Sequence, residues 1–301
     1  MGAEKVAETR NLDSDDAWST IRHVKYRTLL EGSFERMREA DGFSYARAVA
    51  FQIVLAAFPA LIFFVGISAW TGSSSLQSSV DTVLSSLTPG STSDFLRQAV
   101  EQGEENARGQ TWAIVLGGLA ALTSGAVGMS QIEKGANRLY GLGEDRPPLK
   151  RYGFAVVLSL SVGLLLGGAF VALAFGGNIA DAVDGESIWV WLRWPLGMVA
   201  VVVALAALYK MAPNRNQPGV SWLAVGGLTA AFLWLLFSGA LAAYLNLSST
   251  FGETYGPLAG LIGFMIWAQL TGVAVLGGLG FAAQLEAERM HRADPNGSGQ
   301  G

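Results

Sequence analysis

The sequence predicts an all-α fold, a polytopic membrane protein with six transmembrane helices. Three observations predict it. Six apolar runs lie near 48–70, 111–130, 153–177, 188–209, 220–245 and 258–283, each about 20 residues or longer, the length at which a helix crosses a ~30 Å hydrocarbon core. Apolar residues make up 51% of the chain and charged residues 15%, against about 25% charged in a soluble domain. The positive charge alternates from loop to loop: sixteen Lys and Arg collect on one face and two, Arg97 and Arg108, on the other, with Arg47 and Arg193 at span edges. By the positive-inside rule the sixteen-charge face is cytoplasmic, and both termini belong to it. The opposite loops are acidic, with Asp81, Asp94, Glu101, Glu104, Glu105, Asp181, Asp184, Glu186 and Glu253.

In chain order, residues 1–14 read as disordered. The first 45 residues are too polar for a signal peptide, so the N-terminus is expected to stay in the cytoplasm. From residue 15 to about 40, Trp18, Ile21, Val24, Leu29, Leu30, Phe34 and Met37 recur at helical spacing with Arg22, Lys25, Arg36 and Arg38 between them. That pattern predicts an amphipathic helix, either lying at the inner membrane surface or packed under the bundle. Asp41-Gly42 ends it, and the membrane domain occupies 41–290. Pro59 inside span one predicts a kink. The outer loop 71–109 is the longest. Span two continues as a helix through Gln131–Tyr140 and stops between Gly141 and Pro148. Trp189, Trp191 and Trp194 suit a membrane–water interface at the start of span four. Pro213-Asn214-Arg215 and Pro218-Gly219 make a tight inner turn before span five. The tail 291–301 reads as disordered. The glycine pairs Gly163/Gly167 and Gly256/Gly260, and the run Gly277-Gly278-Leu279-Gly280, predict close helix contacts.

The chemistry-bearing residues exclude several classes. His23 and His291 are the only histidines and there is no cysteine, so a zinc-hydrolase pattern is missing. No Gly-x4-Gly-Lys-Ser/Thr occurs, so no ATP site is expected, and no metal or other cofactor is implied. Polar residues near the membrane are the better leads, because burying them costs free energy. Ser44, Arg47 and Gln52 lie at the inner end of span one; Arg47 either snorkels to phosphate groups or lines a path. Gln131, Glu133, Lys134, Asn137 and Arg138 follow span two, with Glu133 and Asn137 sharing a helix face. Gln269 lies within span six, and Gln284 and Glu286 at its inner end. Together these predict an inward-facing polar cavity, closed by apolar packing on the outer side. No Asp or Glu stands mid-span as a proton relay.

Four stretches resemble the YihY / virulence factor BrkB family of bacterial inner-membrane proteins. They are Ser44-Tyr45-Ala46-Arg47-Ala48-Val49-Ala50-Phe51 with Ala57-Phe58-Pro59; Asn137-Arg138-Leu139-Tyr140 with Arg146-Pro147; Leu208-Tyr209-Lys210 with Ala212-Pro213-Asn214-Arg215; and Thr254-Tyr255-Gly256-Pro257-Leu258. The resemblance covers about Trp18 to Arg289. It departs at Gly280-Phe281-Ala282-Ala283-Gln284, where relatives read Gly-Ala-Glu-x-Asn. It implies six helices in the bacterial plasma membrane with both ends in the cytoplasm, and places Tyr255 among the candidate path residues.

The leading expectation is a non-enzymatic protein that transports or flips an amphiphilic envelope component, a lipid or lipid-linked precursor. Arg47, Lys134 and Arg138 would attract its anionic head group, and the Pro59 kink would open a side portal. The alternative is an envelope scaffold whose acidic outer loop 71–109 binds a partner. A membrane ribonuclease is disfavoured, since no carboxylate or histidine cluster marks one soluble face. Membrane lipids are the expected partners, and nucleic acid is not.

Overall fold

The computed structural model describes residues 3–9, 12–71, 98, 111–143, 145–181, 186–247 and 258–293. The outer loop over 72–97 and 99–109, Tyr255, and the side chains of Trp189, Trp191 and Trp194 lie outside the described residues. The described residues form eight long helices and no strand: α1 (Ser14–His23), α2 (Tyr26–Glu39), α3 (Gly42–Thr71), α4 (Thr111–Leu139), α5 (Pro148–Asp181), α6 (Glu186–Met211), α7 (Val220–Leu247) and α8 (Ala259–Ala293).

Among the described residues, four segments are long and apolar enough to cross a membrane, Gly42–Phe63, Ile114–Leu139, Val220–Leu247 and Ala259–Arg292, and Pro195–Met211 is a shorter apolar helix. Their outward faces are apolar: Phe51 and Leu55 on α3, Leu116 and Leu119 on α4, Val199 and Val203 on α6, Phe232 and Leu236 on α7 are all exposed. So much exposed apolar surface marks a lipid-facing belt.

The six long helices close into a ring. Each of α3 to α7 packs on the next, and α8 packs back on α3 and also touches α4, α2 and α1. Small residues allow the approach. A Cβ added to Gly278 would meet Gly226 O of α7 at 2.5 Å, and one added to Gly272 would meet Ala46 O of α3 at 2.6 Å. The glycine run in span six is thus a packing seam, as its sequence suggests. Gly163 is not: nothing lies within 4 Å of its added Cβ, and Gly167 and Gly256 lie outside the described side chains. Two indoles add polar ties between α7 and α8, Trp234 Nε1 donating to Thr271 Oγ1 and Trp267 Nε1 to Ser238 Oγ, each at 3.2 Å.

Pro59 does not interrupt α3, which runs from Gly42 to Thr71. Its carbonyl lies 3.0 Å from a Cβ added to Gly117 of α4, so the proline turn seats against the neighbouring helix at a position with no side chain.

The predicted amphipathic helix is two helices. Val24 adopts extended backbone (φ −93°, ψ 137°) between α1 and α2, and Asp13 caps α1 by accepting from the amides of Asp15 and Asp16. Asp41 turns the chain into α3 with φ 55°. Leu29, Ser33, Arg36 and Met37 of α2 are buried against the bundle, while Leu30 and Phe34 are exposed beside Phe43 of α3. One face of α2 thus packs under the bundle, and its flank stays apolar and open.

The largest fully buried side chains include Trp222, Tyr140, Tyr209, Leu139, Leu285, Glu133 and Glu286. All lie toward the end where α3, α5 and α7 begin and α4, α6 and α8 finish, here termed the charged end. Residues 3–9 reach this core without helix or strand, with Ala3 and Val6 buried. The sequence suggests disorder there because the segment is short and polar. Long-range contacts to its backbone, invisible to local composition, order it instead.

Candidate functional site

Two linked polar networks close the charged end. The first centres on Glu286 near the end of α8. Arg215, in the loop between α6 and α7, pairs with it at 2.6 Å, and both side chains are fully buried. Thr9 donates its hydroxyl to the same carboxylate. The remaining Arg215 donors reach Val6 O at 3.0 Å, Ala7 O at 3.1 Å and Asn216 O at 3.2 Å, and its guanidinium lies 4.6 Å over the Tyr140 ring. Arg36 of α2 donates to Glu4 O (2.9 Å), Leu139 O (3.0 Å) and Gln284 Oε1 (3.2 Å). Burial lowers the Arg36 pKa, and nearby Glu4 opposes that shift. Breaking a buried pair by removing one partner costs about 3–5 kcal/mol, because it strands a charge.

The second network fixes the same loop. Arg146 pairs with Glu133 of α4 at 3.0 Å, stacks 4.3 Å over Phe154, and donates to the carbonyls of Met211, Ala212 and Pro213 at 2.9–3.2 Å. Those carbonyls end α6 and have no partner within the helix, so a cation suits them. Asn137 accepts from the Asn214 amide at 2.7 Å and donates to Asp145 at 2.9 Å. Lys210 donates to Gln217 O and Pro218 O, each at 2.6 Å. Gly141 makes the tight exit from α4 with φ 68°. A Cβ there would lie 2.6 Å from Ala3 O and from Lys5 Cα, so only glycine fits both the conformation and the space.

Several polar atoms in this closure are buried without a hydrogen-bond partner among the described residues: Tyr140 Oη, Trp222 Nε1, both side-chain amide atoms of Gln217, and Glu286 Oε2. The Gln217 amide lies beside the Tyr140 hydroxyl but outside hydrogen-bonding geometry. Burial pushes the Tyr140 pKa well above its usual value, and the neighbouring Glu286 carboxylate adds to the rise. The tyrosine is therefore neutral at any physiological pH.

The closure unites some of the sequence-predicted residues. Glu133, Asn137 and Glu286 are buried at its centre, and Gln284 ties to Arg36 and Glu288. Arg138 is half-exposed, 3.8 Å from Asp145, and Lys134 is half-buried. The rest stand apart. Arg47 is exposed, bonded to Ser44 at 2.6 Å, and lies one turn before exposed Phe51 and two before Leu55, which is the snorkelling position. Gln52 packs beside Gly128, whose added Cβ would lie 3.3 Å from its own. Gln269 is half-buried in α8. Glu133, Asn137 and Glu286 are thus packed and paired at this end. Arg36, Arg146, Arg215, Tyr140, Gln217 and Thr9 were not among the sequence-derived candidates. A signal existed for Arg36, a cation on the apolar face of an amphipathic helix. Arg146 and Arg215 fall in the stretches that carry the family resemblance, but their partners lie 13 and 71 residues away.

The profile described as Virulence factor BrkB matches residues 33–300. The chain is 27% identical over 266 residues to the putative ribonuclease-like protein YfkH of Bacillus subtilis, covering 83% of this chain and 92% of that one. It is 29% identical over 277 residues to a UPF0761 membrane protein of Alkalilimnicola ehrlichii, covering 88% of this chain and 60% of the relative. A UPF0761 membrane protein of Vibrio cholerae is 28% identical over 185 residues, 60% of each. The chain thus spans most of the Bacillus protein and under two thirds of the Alkalilimnicola and Vibrio relatives. No solved structure matches. Since the profile runs through nearly every helix and both networks, the chain belongs to the virulence factor BrkB family of membrane proteins.

Proposed function

We propose that the chain crosses the bacterial plasma membrane six times, with both termini cytoplasmic and α2 at the inner surface, and moves an amphiphilic lipid or lipid-linked molecule between leaflets. The helices are long enough, from 26 residues in α6 to 35 in α8. Sixteen of the twenty Lys and Arg fall on the terminal-bearing side, which is then cytoplasmic. The charged end is the inner gate of the ring.

One observation carries this reading. The gate is built from buried ion pairs, yet Tyr140, Gln217, Trp222 and Glu286 keep buried polar atoms unpaired. Each such atom costs about 1–3 kcal/mol if it stays dry, so it calls for a polar partner that the closed bundle does not itself supply. An alternating structure has one: the same atoms are solvated or meet a polar head group when the gate opens. Gln52 and Gln269 sit further into the ring on α3 and α8 and offer the next polar contacts.

The test is head-group-labelled anionic lipid in liposomes containing the purified protein. Movement between leaflets is expected to exceed that in protein-free vesicles, and Gln52→Leu with Gln269→Leu is expected to slow it. No movement above protein-free vesicles, across several lipid types, refutes the reading and leaves the scaffold role of the outer loop.

A further inference from the structure

The first described segment, residues 3–9, is held by its backbone rather than by its side chains. Arg36 donates to Glu4 O, and Arg215 to Val6 O and Ala7 O. The Val6 amide donates to Tyr140 O at 3.2 Å. Two side-chain anchors add to this, Thr9 to Glu286 and Asn216 Nδ2 to Glu8 Oε2 at 2.9 Å. The seat is shaped for it, because Gly141 leaves room where any side chain would strike Ala3 and Lys5. The segment nevertheless buries little of its own: Val6 is 2% exposed and Ala3 6%, while Glu4, Lys5, Ala7 and Glu8 are exposed. Segments with few buried apolar contacts open at low free energy.

The guanidinium that closes the pair with Glu286 also grips this segment. Release of one therefore loosens the other. The segment also precedes residues 33–300, the part matched by the family profile, whereas its holders Arg36, Tyr140, Arg215 and Glu286 lie inside that part.

We infer that residues 3–9 are a releasable strap that holds the inner gate shut. The inference rests on the transport reading above and assigns that gate its regulator. A non-helical segment gripped through its carbonyls leaves without disturbing any helix, and its departure frees four guanidinium and hydroxyl contacts at the gate.

The chain has no cysteine, so single cysteines report cleanly. Val6→Cys is seated in the core and Ala7→Cys faces out. A charged maleimide applied to the purified protein is expected to modify Val6→Cys about ten-fold or more slowly than Ala7→Cys, because modification waits for release. After reconstitution, modified Val6→Cys is expected to move labelled anionic lipid several-fold faster than the unmodified form, and modified Ala7→Cys to match its unmodified form. Thr9→Val, which removes one anchor and leaves the core intact, is expected to raise the rate in the same direction. Equal labelling of the two cysteines shows that the segment is not seated and overturns the strap. Lipid movement that is present but indifferent to Val6→Cys modification, or slowed by Thr9→Val, also overturns it while leaving the transport reading standing. No movement in any form overturns both.

Discussion

Two turns before Glu286, α8 meets α7 so closely that a Cβ on Gly278 would lie 2.5 Å from Gly226 O. At the charged end, α8 is joined to the α6–α7 loop by Arg215 and Glu286, 2.6 Å apart and fully buried. The first contact is backbone against backbone and involves two helices. The second shares atoms: Arg215 also holds the segment 3–9 and covers Tyr140. A small-residue seam fails locally when disturbed, whereas a shared guanidinium carries a disturbance into every element it touches.

The largest effect should come from breaking the shared contact. Arg215→Ala is expected to cost about 3–5 kcal/mol, since it strands Glu286 without a partner. Thermal unfolding in detergent would show it, and Arg215→Met with Glu286→Leu is expected to recover most of the loss. A double variant as unstable as the single one would mean that Arg215 acts through the 3–9 segment rather than through the ion pair.

The seam comes next. Gly278→Ala is expected to cost about 1–3 kcal/mol by overpacking against Gly226 and Ala230. Gly239→Ala on the same pair of helices should be neutral or slightly stabilising, because nothing lies within 4 Å of its added Cβ. Equal losses at both sites would contradict the packing assignment.

Tyr140 sharpens the comparison through pH. Its folded pKa is raised by burial, so the stability tied to its neutral form is complete below the unfolded value of about 10 and is lost as pH rises above that. Unfolding followed at pH 8 and again near pH 10.5 should show an alkaline loss that Tyr140→Phe diminishes. At pH 8 that variant should equal or exceed wild-type stability, since it removes a buried hydroxyl that has no partner. The smallest effect is expected at Arg27–Glu31, an exposed pair 86% and 63% accessible. There Arg27→Ala should change stability by no more than about 0.5 kcal/mol.

The helices were legible in the sequence because each depends on residues within itself. Apolar runs, Asp41-Gly42, Gly141 and Pro213–Gly219 place most starts and stops within a few residues, although α8 runs to Ala293 past the expected end at 283 and 15–40 forms two helices rather than one. The site was legible only in part. Glu133, Asn137 and Glu286 announce themselves as polar residues beside apolar spans, but their partners are set by how the ring closes. Arg36 meets Leu139 O across 103 residues and Thr9 meets Glu286 across 277. No local pattern encodes such pairings. The same reasoning misread residues 3–9, whose order comes from donors elsewhere.

The central claim is that the charged end opens and closes. Glu8 and Asn216 touch at 2.9 Å, so cysteines in their places are within reach of a short cleavable cross-linker. Movement of labelled anionic lipid should stop in the cross-linked protein and return to the uncross-linked rate when the linker is cut. Movement that continues unchanged with the linker in place would contradict the account.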